Sequence, residues 1–259
     1  AVVLALGFTT VVLLITNAQP VEAYENILKG AVGSDIKMML VVSAWIPLLL
    51  VSAGLLATFT AGLWNIGIEG QITLGAIFSY WLIRSLQNTD LPPVLILIGA
   101  FLAGAAGGAL WAGIVGLLKI YGGVSEIFGG LGMNFVATAL TIWLIFGPWK
   151  RPGIGSMSGT DQFKSQFWLP TFEGYDLSPW SLLIGILCLV VITILLGNTY
   201  FGLRLKAVGL NPRASALMGI PTARYMLTAF LICGALAGLA GTIQVTGVFH
   251  RLIPSISSG

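Results

Sequence analysis

Asn65-Ile66-Gly67-Ile68-Glu69-Gly70-Gln71 interrupts a chain that otherwise keeps its charged residues out of long apolar stretches. Polar side chains and paired glycines at such a place mark where a membrane protein handles something other than lipid. On one reading Asn65 is the N-cap of a helix starting near Ile66, with Glu69 as a first-turn acid; free amides and the positive end of the helix dipole favour both. That accounts for the side chains. It leaves over Gly67 and Gly70, each of which weakens a helix by about 1 kcal/mol relative to alanine. On the other reading the helix is interrupted and lines a cavity, where irregular backbone at membrane depth is tolerated. The residues alone leave both readings open.

The composition around this stretch is that of a membrane protein. With 57% hydrophobic residues, 8% charged residues and 34 glycines in 259 positions, the chain cannot build a water-soluble core with a polar skin. Charge-free runs lie at 1–21, 38–68, 91–118, 127–149, 177–203 and 225–249, and a span needs about 20 apolar residues. The second run is too long for one span and 70–83 too short alone, so two helices are expected there, at about 38–61 and 64–84. The expected fold is therefore all-α and polytopic, a single transmembrane domain over 1–259 with about seven spans. A cleaved signal peptide fits 1–21 poorly, because no basic residue precedes it.

Charge placement orients the chain. Segment 198–224 carries Arg204, Lys206, Arg213 and Arg224 and no acid, whereas 147–179 balances Lys150, Arg151 and Lys164 against Asp161, Glu173 and Asp176. The positive-inside rule puts 198–224 in the cytoplasm. Segments 147–179, 85–92 and 17–37 then lie outside, the turn at 119–126 and the amino terminus inside, and the carboxyl terminus outside. A chain that begins at Ala1 and ends on a polar Pro254-to-Gly259 tail after an odd number of spans is expected to be a fragment.

Small residues define packing faces. Gly104 with Gly108, Gly234 with Gly238, and the series Gly54, Thr58, Gly62 allow close backbone approach, a device common to channels, transporters and inert bundles. Cys188 and Cys233 lie within spans and give no metal spacing. Ser125 reads as an N-cap with Glu126 in the first turn of the next span, and Asn134, two turns further in, faces neighbouring helices or a pore. In the cytoplasmic segment, Asn211 and Pro212 form an N-cap and first-turn pair, and Gly219 ends a short helix over about 212–218. Ala214, Leu217 and Met218 give that helix an apolar face. Basic residues could serve topology and lipid headgroups alone, but a cap, a stop and an apolar face together make a docking element for a soluble partner.

These residues resemble a known family. The run 65–71 with Gly75-Ala76 looks like the signature of permease subunits of bacterial ABC importers, in the nucleoside and simple-sugar branch. Gly202-Leu203-Arg204-Leu205-Lys206-Ala207-Val208-Gly209, then Asn211-Pro212, Ala214 and Gly219-Ile220, is similar to that family's cytoplasmic coupling segment. Ala235-Leu236-Ala237-Gly238-Leu239-Ala240-Gly241 resembles the helix that follows it, and Glu126, Leu131 and Asn134 match a further stretch. Phe128-Gly129-Gly130 departs from the expected β-branched, threonine-containing sequence. The resemblance runs from about residue 20 to residue 250.

It implies a multi-pass subunit of the bacterial cytoplasmic membrane, with Asn65, Glu69, Gln71 and Asn134 along a substrate pathway. Arg204, Lys206, Gly209, Asn211, Pro212, Ala214, Leu217 and Gly219 would couple it to a separate ATPase. Partners would be that ATP-binding cassette ATPase, a second permease subunit, identical or different, an extracytoplasmic substrate-binding protein and the bilayer, but no nucleic acid. No cofactor is expected on this chain, and ATP and Mg would sit on the ATPase. In keeping with this, the sequence has no phosphate-binding glycine loop with Lys and Ser/Thr and no paired Asp for magnesium, so no ATPase or other enzyme activity of its own is expected. Rival readings are a permease for branched-chain amino acids and a proton- or ion-coupled secondary transporter using Glu69 or Glu126; both acids lie near span ends, which disfavours the latter. A membrane enzyme has little support, since His250 is the only histidine and no nucleophile accompanies it.

Overall fold

The computed structural model describes residues 1–151, 153 and 159–256. In chain order its α-helices are α1 (Val2–Ile15), α2 (Pro20–Val32), α3 (Asp35–Thr60), α4 (Ile68–Leu86), α5 (Pro93–Ile120), α6 (Glu126–Phe146), α7 (Pro179–Gly197), α8 (Tyr200–Leu210), α9 (Pro212–Leu217) and α10 (Thr222–Ile243). No strand occurs among the described residues. Five helices, α3, α5, α6, α7 and α10 with its extension to Phe249, are long and apolar enough to cross a bilayer.

Two of the seven expected spans turn out differently. The run 1–21 is not one straight helix: α1 ends at Ile15, Asn17 takes a left-handed backbone (φ 56°), and α2 departs at 119°. Proline at the first helical position, Glu22 in the first turn and Lys29 in the last make α2 a helix where a loop was expected. Tyr24 Oη folds it back on α1 by donating to the Leu6 carbonyl at 2.9 Å. Counted together, the bent pair makes a sixth span. The other difference is α4, whose 19 residues reach about 28 Å but include Glu69, Gln71 and Arg84. Protein shields it instead of its own hydrocarbon, for it runs between α5, α6 and α10 and buries eleven residues.

Close packing of α4, α5 and α10 forms the centre. Gly75 meets Gly238, Gly104 meets Thr242 and Gly238, and Gly108 meets Gly234 and Gly238, so any side chain there would strike backbone of the next helix. The expected small-residue faces on α5 and α10 are thus contact faces. The third series is only partly one face: Gly54 and Thr58 are buried in α3, with Gly54 against Cys233. Gly62 lies beyond the helix end with φ +72° and packs on Gly209 of α8.

The segment 198–224 is more ordered than a loop. Thr199 caps α8 by accepting from the Gly202 amide at 3.1 Å, which ends the apolar run at Gly197 instead of 203. At the opposite end of the bundle, the connection after α6 is laced to the chain beyond α10. Leu169 N donates to Thr246 O at 3.0 Å, Thr160 N to Leu252 O at 2.9 Å, and Leu252 N to Thr160 Oγ1 at 3.0 Å.

Gly238→Ala should lower stability by about 1–3 kcal/mol, because the added methyl must displace helix backbone. Gly132→Ala, with open space around its Cα, should change it by no more than about 0.5 kcal/mol. Thermal unfolding of the two purified variants in detergent compares them directly.

Candidate functional site

The chain stops being helical between Thr60 and Ile68, with Leu63, Asn65 and Gly67 turned inward and Gly62, Trp64 and Ile66 exposed. Gly70 lies against Trp111, nine residues before the end of α5, or about 13 Å along that helix. Seven residues of irregular backbone beside an apolar core need partners for their amides and carbonyls.

Turns within the chain supply some, among them Leu63 N to Thr58 O and Ile66 N to Trp64 O, and side chains from three helices brace the segment. Asn134 on α6 accepts from the Gly70 amide at 2.9 Å and donates to the Ile66 carbonyl at 3.1 Å. Gly67 is the N-cap residue of α4 and has no side chain to offer, so Gly70, three residues on, carries an amide that a cap would normally satisfy. Asn134 does this from another helix. Asn65 is therefore not the N-cap expected from the sequence; it lies two residues upstream and turns toward its own helix. Its amide and that of Gln71 exchange two hydrogen bonds, at 3.0 and 2.9 Å, and Asn65 Nδ2 also reaches Cys233 Sγ on α10 at 3.0 Å. Both amides are buried. A single residue slip in this segment would leave at least two buried amide groups unpaired.

Glu69 stands apart. It is exposed, and its carboxylate has no hydrogen bond or ion pair among the described residues. The structure ends α3 at Thr60 and begins α4 at Ile68, and of the four expected pathway residues Asn65, Gln71 and Asn134 brace this junction while Glu69 is left open. Close by, Gly67 and Gly130 pack backbone to backbone, so the small residues of Phe128-Gly129-Gly130 have a packing use. Ser125 occupies the N-cap position of α6 but makes no capping bond, and Glu126 pairs with Lys119 at 2.7 Å with the Trp64 backbone amide beside it.

The coupling residues form a second group at the same end of α3, where Gly209 meets Thr60 and Gly62. Asn211 Oδ1 accepts from the Ala214 amide at 3.0 Å, Pro212 opens α9, and Gly219 follows with φ +79°. Leu217 is 90% exposed and Met218 82%, so the apolar face of α9 touches nothing in this chain. Arg204 and Lys206 are exposed, Arg204 reaching Tyr225 Oη at 3.4 Å. Gly209 differs: it faces inward against Thr60 and Gly62. That contact joins α8 and α9 to the point where the break begins, and pairs two glycines that the sequence placed separately, Gly62 in a packing series and Gly209 in the coupling segment.

His250, expected to sit at the outer boundary, is half-buried beyond α10. Its ring stacks on Trp168 at 3.8 Å and 6°, and Nδ1 donates to the Thr246 carbonyl at 3.1 Å. Burial holds its pKa below the ordinary histidine value of 6.5, against the opposing pull of the Thr246 carbonyl and the Asp176 charge.

A multi-pass helical bundle with a polar, glycine-rich junction between two central helices, and an exposed apolar helix tied to it, has the make-up of a transport component. The chain belongs to the family of branched-chain amino acid transport system permease components, whose profile matches residues 38–258. It is 31% identical to a glucose ABC transporter permease protein of Haloferax volcanii, over all of this chain and 70% of that one. It is 28% identical to a nucleoside ABC transporter permease protein of Lactococcus lactis, over all of this chain and 72% of the relative. A guanosine ABC transporter permease protein of Bacillus subtilis is 27% identical over 96% of this chain and 71% of its own length. No solved structure gives a significant match.

Two outcomes test the site's geometry. Asn134→Ala should cost about 1–3 kcal/mol by orphaning one buried amide and one carbonyl, and hydrogen exchange should rise at Gly70 before it rises elsewhere. The single imidazole signal in nuclear magnetic resonance should titrate below 6.5. Because the unfolded chain binds this proton more tightly, stability should be retained above that pH and decline as pH falls below it.

Proposed function

We propose that this chain is the membrane permease subunit of an ATP-binding cassette importer for nucleosides or simple sugars, in the bacterial cytoplasmic membrane. The observation that carries this reading is α9: a capped six-residue helix whose leucine and methionine project from the basic end of the bundle. Helices this short do not persist alone, and exposed apolar side chains on a capped element mark an interface. The occupant is a cytoplasmic ATPase, which holds the ATP and Mg; this chain binds no cofactor and hydrolyses nothing.

Closure of the ATPase pair pushes on α9 and α8. Through Gly209 the push arrives at Thr60 and Gly62, the entrance to the break. Two arrangements of the helices then open the pathway to one side or the other. Substrate passes the face of the break that carries Glu69, while Asn65, Gln71 and Asn134 keep the backbone there open. An ionisable side chain within a span is expected to face protein or a water-filled cavity. Because this chain leaves Glu69 uncovered, a second permease subunit supplies the other wall. A substrate-binding protein delivers cargo to the opposite end, and neutral, hydroxyl-rich cargo suits a path with few charges. The names of the glucose, nucleoside and guanosine permeases support the same substrate class.

Leu217→Asp should leave the spans folded, since the residue touches nothing in this chain, yet weaken ATPase docking by about tenfold or more. Uptake in membrane vesicles should fall in parallel. Normal uptake with Asp at this position would remove α9 from the coupling role.

A further inference from the structure

At the end of the bundle opposite α9, a cavity of about 450 Å³ opens between α3, the extension of α10 and the laced connection after α6. Ligand sites for small molecules fall in the range of about 300–1,000 Å³ and combine apolar walls with a few convergent polar groups. Here four polar side chains converge: Ser43 from α3, Thr171 and Asp176 from the connection, and Gln244 from the extension of α10. None of the four has a side-chain hydrogen bond or ion pair among the described residues. Trp168 and His250, stacked on each other, form one wall.

The backbone under this wall is unusual twice over. Gln244–Phe249 is a π-helix, a rare form frequent at functional sites, and His250 ends it with φ 55°. A non-glycine residue in that region stays there only when its surroundings impose it. The Trp168 stack and the Thr246 carbonyl impose it here. Packing alone explains the α10 core up to Ile243; it does not explain a widened turn that brings an unpaired amide into an open cavity.

We propose that this cavity is a binding site for a neutral polyhydroxy ring compound, a sugar or the ribose of a nucleoside, held apart from the break at 61–67. An amide, a carboxylate and two hydroxyls supply donors and acceptors for a rim of ligand hydroxyls, and the aromatic wall takes the C–H face of the ring. A lone carboxylate without a second anionic group is a poor cation site. It is well suited to accept from two adjacent hydroxyls. The proposal rests on the importer reading only for calling this ligand cargo: the site would receive substrate at the delivery side before it reaches Glu69.

His250 is the one histidine of the chain, so its labelled imidazole reports on the wall without ATPase or partner. The full chain in lipid nanodiscs is titrated with D-glucose, with guanosine and with L-leucine. Glucose or guanosine should move the His250 signal saturably and leucine should not. Gln244→Leu, and independently Thr171→Val on the exposed connection, should each weaken that binding by about tenfold with unfolding temperature unchanged. A signal that neither glucose nor guanosine moves, an equal response to leucine, or wild-type binding by both variants overturns the site. Saturable shifts in a chain that fails the Leu217→Asp test would defeat the importer reading and leave the site standing; coupled uptake with a silent His250 would do the reverse.

Discussion

Where α3 gives way to α4, backbone leaves the helix beside the apolar core and must find its hydrogen bonds in the protein, and this requirement ties three helices together. Backbone turns meet part of it; Asn134 bridges Ile66 and Gly70, and the buried amides of Asn65 and Gln71 satisfy each other. The Asn134 amide both donates and accepts, so it stands in for a peptide group that the first turn of α4 lacks. Cysteine at 233 completes the set from α10. Three helices must hold their relative positions for these bonds to exist.

What holds them is absence of side chains. Gly75, Gly104, Gly108 and Gly238 let α4, α5 and α10 touch at the backbone, where dispersion replaces the hydrophobic drive that lipid cannot provide. A centre packed this tightly does not deform continuously; it moves as a block or switches between discrete arrangements. The contact of Gly209 with Thr60 and Gly62 carries the same logic to the basic end of the bundle, where α8 and α9 are tied to the entrance of the break.

Much of this was legible in the residues. Asn211, Pro212 and Gly219 are local signals, and the capped helix between them has the expected start and end to within a residue. The glycine pairs of α5 and α10 announced close packing for the same reason. Where reading failed, the deciding partner was distant. Asn65 has the identity of an N-cap, but its position is set by Gln71 and Cys233, and the cap itself comes from a residue 64 positions from Gly70. The straight first span failed because Asn17 could take a left-handed turn, which apolar run length does not register.

By itself the sequence determined that the chain is a multi-pass helical membrane protein, which end is basic, and that residues 65–71 are special, because composition, charge and local caps act over a few neighbours. Only the tertiary structure decided that Asn134 holds the break, that Glu69 is left open, that Gly209 meets Gly62, and that Ser43, Thr171, Asp176 and Gln244 face one cavity. Those facts depend on which helix faces register with each other across the bundle, and register is settled by the sum of many small contacts between residues far apart in the chain.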